Sequence, residues 1–146
     1  MGWIPYGMIT SNFSQHRKHK FDGGVSIAAG QPKWVRVPYT YSRLAPSYKL
    51  LGQMRRGEIS PAEYAVEYNK YLATLDAKQV FNQLHELVLG VEPVLMCHCK
   101  STDFCHRQLA AAWLESELGI RIPEFGQSGV IRVDGYLQLP KQESLF

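Results

Sequence analysis

No apolar run in this chain approaches the roughly 20 residues that span a bilayer. The stretch Met1 to Gly7 also lacks the basic start and long apolar segment of a secretory leader. Cysteine is scarce, with three residues in 146 and all of them between Cys97 and Cys105. An odd number crowded into one stretch argues against a disulfide framework. It suits reduced cytoplasmic thiols, a metal site or a reactive thiol. Internal repeats and low-complexity tracts are absent, and the formal charge is only +3. So mild an excess permits a polyanionic partner without demanding one. What remains is an ordinary globular composition, 45% hydrophobic, at a length that fits one domain with a real core. The expectation is a cytoplasmic protein with no membrane contact.

The charge is unevenly spread. His16-Arg17-Lys18-His19-Lys20 is a dense basic run, and Arg55-Arg56 is a smaller one. The first run reads as a solvated loop or as a set of phosphate contacts.

Along the chain, strands are expected at Tyr6 to Thr10 and at Val25 to Ala28, with a further extended piece at Trp34 to Val37. Ser11 to Ser14 reads as a loop, and Pro46 as the opening of a short helix. Ser60-Pro61-Ala62-Glu63 combines an N-cap serine, a proline at N1 and a capping-box glutamate, so a helix starts there. Its stripe Tyr64, Tyr68, Tyr71, Leu72 and Leu75 reads as core packing. Asp76 caps a second helix, which Gly90 stops, and His85 on it reads as structural or exposed. Val94-Leu95-Met96-Cys97 is continuously apolar, as a strand covered on both faces requires. Asp103 is placed as the N-cap of a helix that runs to Gly119. Ile120 to Ile122 is expected as a late strand and Val130 to Leu139 as a hairpin or ordered tail. This order predicts a single-domain three-layer α/β sandwich with a small mixed or parallel sheet. Residues 1–126 form the α/β domain, and 127–146 form a C-terminal extension or tail.

Chemistry concentrates between Cys97 and Arg107. Ligands gather at the carboxyl ends of strands in open α/β sheets, and a helix N-terminus offers free amides and a partial positive charge. Arg107 in a first helical turn would add bidentate reach to phosphate. A nucleotide or phosphorylated ligand is the leading reading, with Cys105 and His106 as catalytic candidates because a helix start beside histidine and arginine favours a thiolate. Cys97, Thr10, Ser11, Asn12, Gly30 and Arg43 would complete the ligand pocket. Two alternatives stay open. Cys97, Cys99 and Cys105 or His106 would make a zinc site, although C-x-C-x5-C-H is not a standard knuckle spacing. Otherwise the cysteines are small buried hydrophobes and Arg107 makes a structural ion pair.

The stretch Leu95-Met96-Cys97 followed by Phe104-Cys105-His106-Arg107-Gln108-Leu109-Ala110-Ala111-Ala112-Trp113-Leu114 resembles the signature of the domain of unknown function 488 family, DUF488. Ile9 to Phe13, Val25-Ser26-Ile27, Leu44-Ala45-Pro46, Glu63-Tyr64 with Tyr68, and Leu118-Gly119-Ile120 extend the likeness from about Met8 to Phe125. The resemblance implies a compact α/β fold of bacteria and their phages and assigns no cofactor. Family members often carry glutamate where this chain has Cys99, so no bound zinc is expected.

The terminal Gln142-Glu143-Ser144-Leu145-Phe146 resembles the Q-x-x-L-F peptide by which bacterial DNA-processing proteins dock on the sliding clamp. Gln142 would enter a polar pocket, and Leu145 and Phe146 an apolar one. Three functions therefore fit. They are an enzyme of nucleotide or nucleic-acid metabolism, a non-enzymatic phage protein that sequesters a nucleotide signal, and an accessory protein docked on the clamp.

Overall fold

The computed structural model describes residues 7–127 and 129–138. Strand β1 (Ile9–Asn12) leads into α1 (Phe13–His19), followed by β2 (Gly24–Ser26) and β3 (Tyr39–Thr40). A 3-10 turn at Ser42–Leu44 precedes three helices, α2 (Tyr48–Arg55), α3 (Pro61–Leu72) and α4 (Ala77–Leu87). Strand β4 (Val94–Cys97), helix α5 (His106–Leu118) and the hairpin β5 (Ile131–Val133) and β6 (Tyr136–Gln138) complete the described chain.

The main sheet has the order β1-β4-β2-β3, with every pair parallel. All four residues of β4 are buried, which is why the central strand must be apolar throughout. On one face Phe13 of α1 packs with Val94 and Met96. On the other, Leu95 joins Leu84 of α4 and Leu109 and Leu114 of α5 in the larger core. The expected α/β domain is therefore present. Adjacent strands β1 and β4 hand the chain to helices on opposite faces, α1 with Val94 and Met96 and α5 with Leu95.

The helix signals of the middle third read correctly because they are local. Ser60 accepts from the Glu63 amide, and the Glu63 carboxylate accepts from the Ser60 amide. Asp76 caps α4 through Gln79. Tyr64, Tyr68 and Leu72 are buried, as the core reading of the stripe requires, whereas Tyr71 stays 39% exposed. His85 is structural, bonding the carbonyls of Phe81 and Gly7.

Four expectations are corrected. Ser11 to Ser14 is not a loop, because Asn12 Oδ1 accepts from the Gln15 amide and starts α1 at Phe13. The basic run lies in the last turn of α1 and at its cap, where cations oppose the negative end of the helix dipole. Trp34 to Val37 is irregular, and the strand comes later at β3. Ile120 to Ile122 forms no strand, and Glu124 instead makes a single parallel bridge to Thr10.

The hairpin packs on α5. It is held by Arg132, which donates to Gln108 Oε1 at 2.7 Å, to Thr10 Oγ1 at 2.7 Å and to the Ile122 carbonyl. Gly135 at the turn has φ +92°, and a Cβ there would lie 2.3 Å from the Phe104 ring. Only glycine suits both demands.

Candidate functional site

The carboxyl end of β4 delivers Cys97, and the chain then turns through residues 98–104 before α5 begins. Helix α5 is capped by Cys105, whose Sγ accepts from the Arg107 amide at 3.5 Å, and not by Asp103. The reason is tertiary. The Cys105 amide donates to the Gly135 carbonyl at 2.9 Å, and Phe104 is wedged edge-on between Tyr64 and Tyr136. That clamp sets where the helix can start.

The turn brings the three cysteines together. Their Sγ atoms all lie within 4.8 Å of one another, with Cys97 and Cys105 buried and Cys99 half-buried. The Cα atoms of Cys97 and Cys105 are 8.0 Å apart, beyond the usual disulfide range of about 4.4–6.8 Å. Burial pushes the Cys99 thiol up, against the opposing pull of Arg107. An unassisted Cys99 is therefore a poor nucleophile at neutral pH.

Arg107 is fully buried beneath the cluster. Nε and Nη2 donate to Glu124 at 3.1 and 2.7 Å, and Nη1 donates to Cys97 Sγ and the Cys99 carbonyl, both at 3.0 Å. This corrects the expected phosphate contact, because the guanidinium is neutralised by Glu124 and has no exposed surface. Glu124 accepts further bonds from Thr10 Oγ1, Ser101 Oγ and Gln108 Nε2. Burial would raise its pKa, but the Arg107 charge and these donors outweigh burial and hold it below the usual carboxylate value.

The other expected site residues scatter. Thr10 serves the Glu124 and Arg132 network, and Asn12 is spent as a cap. Ser11 Oγ is buried with no hydrogen-bond partner among the described residues. Gly30 is exposed, and Arg43 bonds Gln79 and Gln83. His106 is buried, with Nε2 2.6 Å from the Ile27 carbonyl and its ring edge-on to Tyr68. Burial drives its pKa down to about 4. It is thus a neutral strut between α5 and the end of β2, not a base facing a ligand. Gln142, Leu145 and Phe146 lie outside the described residues.

A family model described as the active DUF488-N3 subclade matches residues 15–118, more than half of the chain. The chain belongs to this family. No curated protein and no solved structure matches significantly. The DUF488-N3 match contains all three cysteines, His106 and Arg107, whereas Thr10, Glu124 and Arg132 fall outside it.

Sequence reading of this DUF488-N3 member missed Glu124, whose importance has no local signal because its partners come from three separate segments, β1, the turn at Ser101 and α5. It also left Trp34 without a role. Trp34 is 49% exposed and carries the Arg17 guanidinium 5.9 Å from its ring centroid, a cation–π distance. Lys18, Lys20, Lys33 and Arg36 are exposed on the same two segments. A groove of about 410 Å³ is lined by residues 31–37 and Thr40. His16 pins this segment to α1. Its Nδ1 accepts from the Phe21 amide, leaving Nε2 to donate to the Arg36 carbonyl at 2.9 Å. Val35 and Val37 turn inward and pack in the cluster that contains Cys97, Cys99 and Cys105. A larger cleft of about 900 Å³ beside α2 and α3 includes none of the cysteines in its lining.

Proposed function

We propose that this DUF488-N3 member handles a nucleotide or nucleic acid, held across α1 and residues 31–37 and bordering the cysteine cluster. The observation that carries the reading is the exposed Trp34 ring under the Arg17 guanidinium, rimmed by Lys18, Lys20, Lys33 and Arg36. A π-face for a base beside several cations for phosphates is the equipment of single-strand binding. The basic run thus acts from a helix and its cap, and the ligand contact passes from Arg107 to Arg17 and Trp34.

The expected result is that Arg17→Ala with Trp34→Ala weakens binding of a fluorescent single-stranded oligonucleotide by about 10- to 100-fold, from roughly 1–3 kcal/mol for stacking on one ring. Both side chains are on the surface, so the circular dichroism spectrum should not change. Anisotropy titrations at two salt concentrations check this. Unaltered affinity in the double variant, or binding indifferent to salt, sinks the proposal. Recovery of the ligand after denaturation separates two modes of action: an enzyme returns it changed, and a sequestering protein returns it intact.

Docking on a sliding clamp is a second proposal, resting on the order of Gln142, Leu145 and Phe146 in the sequence. Deleting Gln142 to Phe146 should abolish capture by immobilised bacterial clamp, and a peptide of those five residues should compete. Capture that survives the deletion refutes the docking role.

A further inference from the structure

We infer that Cys97, Cys99 and Cys105 together bind one zinc ion, with the fourth coordination position left to water or another exogenous ligand. The inference goes beyond the nucleic-acid reading and needs no part of it. Zinc–thiolate bonds of about 2.3 Å in tetrahedral geometry set sulfur–sulfur edges near 3.8 Å. The three Sγ atoms all lie within 4.8 Å of one another, and the Cys97 and Cys105 sulfurs, 2.50 Å apart, would have to open by side-chain rotation to that edge to share an ion. They converge from two separate elements, the end of β4 and the cap of α5, whose Cα atoms at Cys97 and Cys105 stand 8.0 Å apart. Side chains that reach inward across so wide a backbone gap suit a shared central ion better than a direct covalent bridge.

The surroundings fit a thiolate site. Arg107 Nη1 donates to Cys97 Sγ at 3.0 Å and lies 3.8 Å from Cys105 Sγ, as outer partners of metal-bound sulfur do. Binding follows Zn²⁺ + 3 RSH → [Zn(SR)₃]⁻ + 3 H⁺, and the resulting negative charge sits against the buried guanidinium. Metal uptake by thiols releases their protons. Among the described residues no histidine or carboxylate joins the group. His98 stacks edge-on against Phe13, and His106 Nε2 is held by the Ile27 carbonyl. Three protein ligands with an open fourth position is the pattern of catalytic rather than structural zinc. The irregular spacing that counted against zinc in the linear sequence is closed by the turn between β4 and α5.

The test uses the full chain, purified without chelator and without added oligonucleotide. Elemental analysis should find about one zinc per chain, as one closed ligand set implies. Replacement by Co²⁺ should give the intense visible bands and the near-ultraviolet sulfur-to-cobalt absorption of a tetrahedral thiolate site. All three thiols should resist alkylation until a chelator is added. Cys99→Ser is the variant of choice because Cys99 is the least buried of the three. It should lose at least about tenfold in Zn²⁺ affinity, the scale of a lost metal interaction, while Arg17→Ala with Trp34→Ala retains the metal. Three outcomes overturn the inference. They are a folded wild-type chain that takes up neither Zn²⁺ nor Co²⁺, thiols equally reactive with and without Zn²⁺, and only one free thiol in the chain denatured without reductant. Failure of oligonucleotide binding leaves this result unaffected, so the two readings fail separately.

Discussion

Glu124→Ala should destabilise the protein by about 3–5 kcal/mol, the cost of leaving one member of a buried ion pair without its partner. Neither Arg107 nor Glu124 has meaningful exposure, so water cannot replace the lost carboxylate. The same substitution strands donors on Thr10, Ser101 and Gln108. Arg107→Ala should be similarly damaging, since it exposes an uncompensated buried carboxylate to the core. A loss of this size is a large part of the 5–15 kcal/mol typical of a domain, so either variant is expected to be poorly soluble at 37 °C. Urea titration monitored by circular dichroism measures the effect as a fall in midpoint at constant slope. A change below about 1 kcal/mol, the level of surface pairs, would falsify the view that this pair anchors α5 to the end of β1.

The second large effect is on acid stability and centres on His106. Its folded pKa is depressed from 6.5 to about 4 because burial disfavours the charged ring, with the neighbouring Arg107 charge adding to the depression. The unfolded chain therefore binds the proton more readily than the folded one. The stability contributed by neutral His106 is full above pH 6.5 and is lost as pH falls toward about 4. The full shift corresponds to about 3 kcal/mol at 1.36 kcal/mol per pKa unit. Glu124 acts in the same direction at lower pH. Its depressed pKa means that protonation, and loss of the pair with Arg107, comes only as pH falls through the folded value. Unfolding free energies measured in urea at pH 7.5, 6, 5 and 4 should fall steeply in the wild type. His106→Gln keeps a donor for the Ile27 carbonyl but cannot titrate, and it should flatten the fall between pH 6.5 and 4. An identical pH slope in the variant would mean that another group carries the acid sensitivity.

These expectations separate what local sequence encodes from what it cannot. Ser60 with Glu63, Asp76 with Gln79, and Gly119 at φ +66° all act within four residues of themselves. A capping box or a helix stop is decided by sterics and hydrogen bonds inside one turn, so its residues announce it. Asp103 has the same chemistry as Asp76 and yet does not cap α5. At that position the Gly135 carbonyl and the aromatic wedge around Phe104 override the local preference and move the start to Cys105.

By itself, the sequence determined the α/β class, the central strand Val94–Cys97, the three helices α3, α4 and α5, and the segment where the thiols lie. Those are consequences of apolar periodicity and of capping, which depend on near neighbours. Only the tertiary structure decided that Arg107 faces Glu124, that His106 is sealed under Tyr68, and that Cys99 joins Cys97 and Cys105. It also decided that Trp34 stands beside Arg17. Each of these depends on a contact between segments that the sheet order β1-β4-β2-β3 brings together. A charge has no meaning for a ligand until its nearest opposite charge is known, and that neighbour is set by the fold.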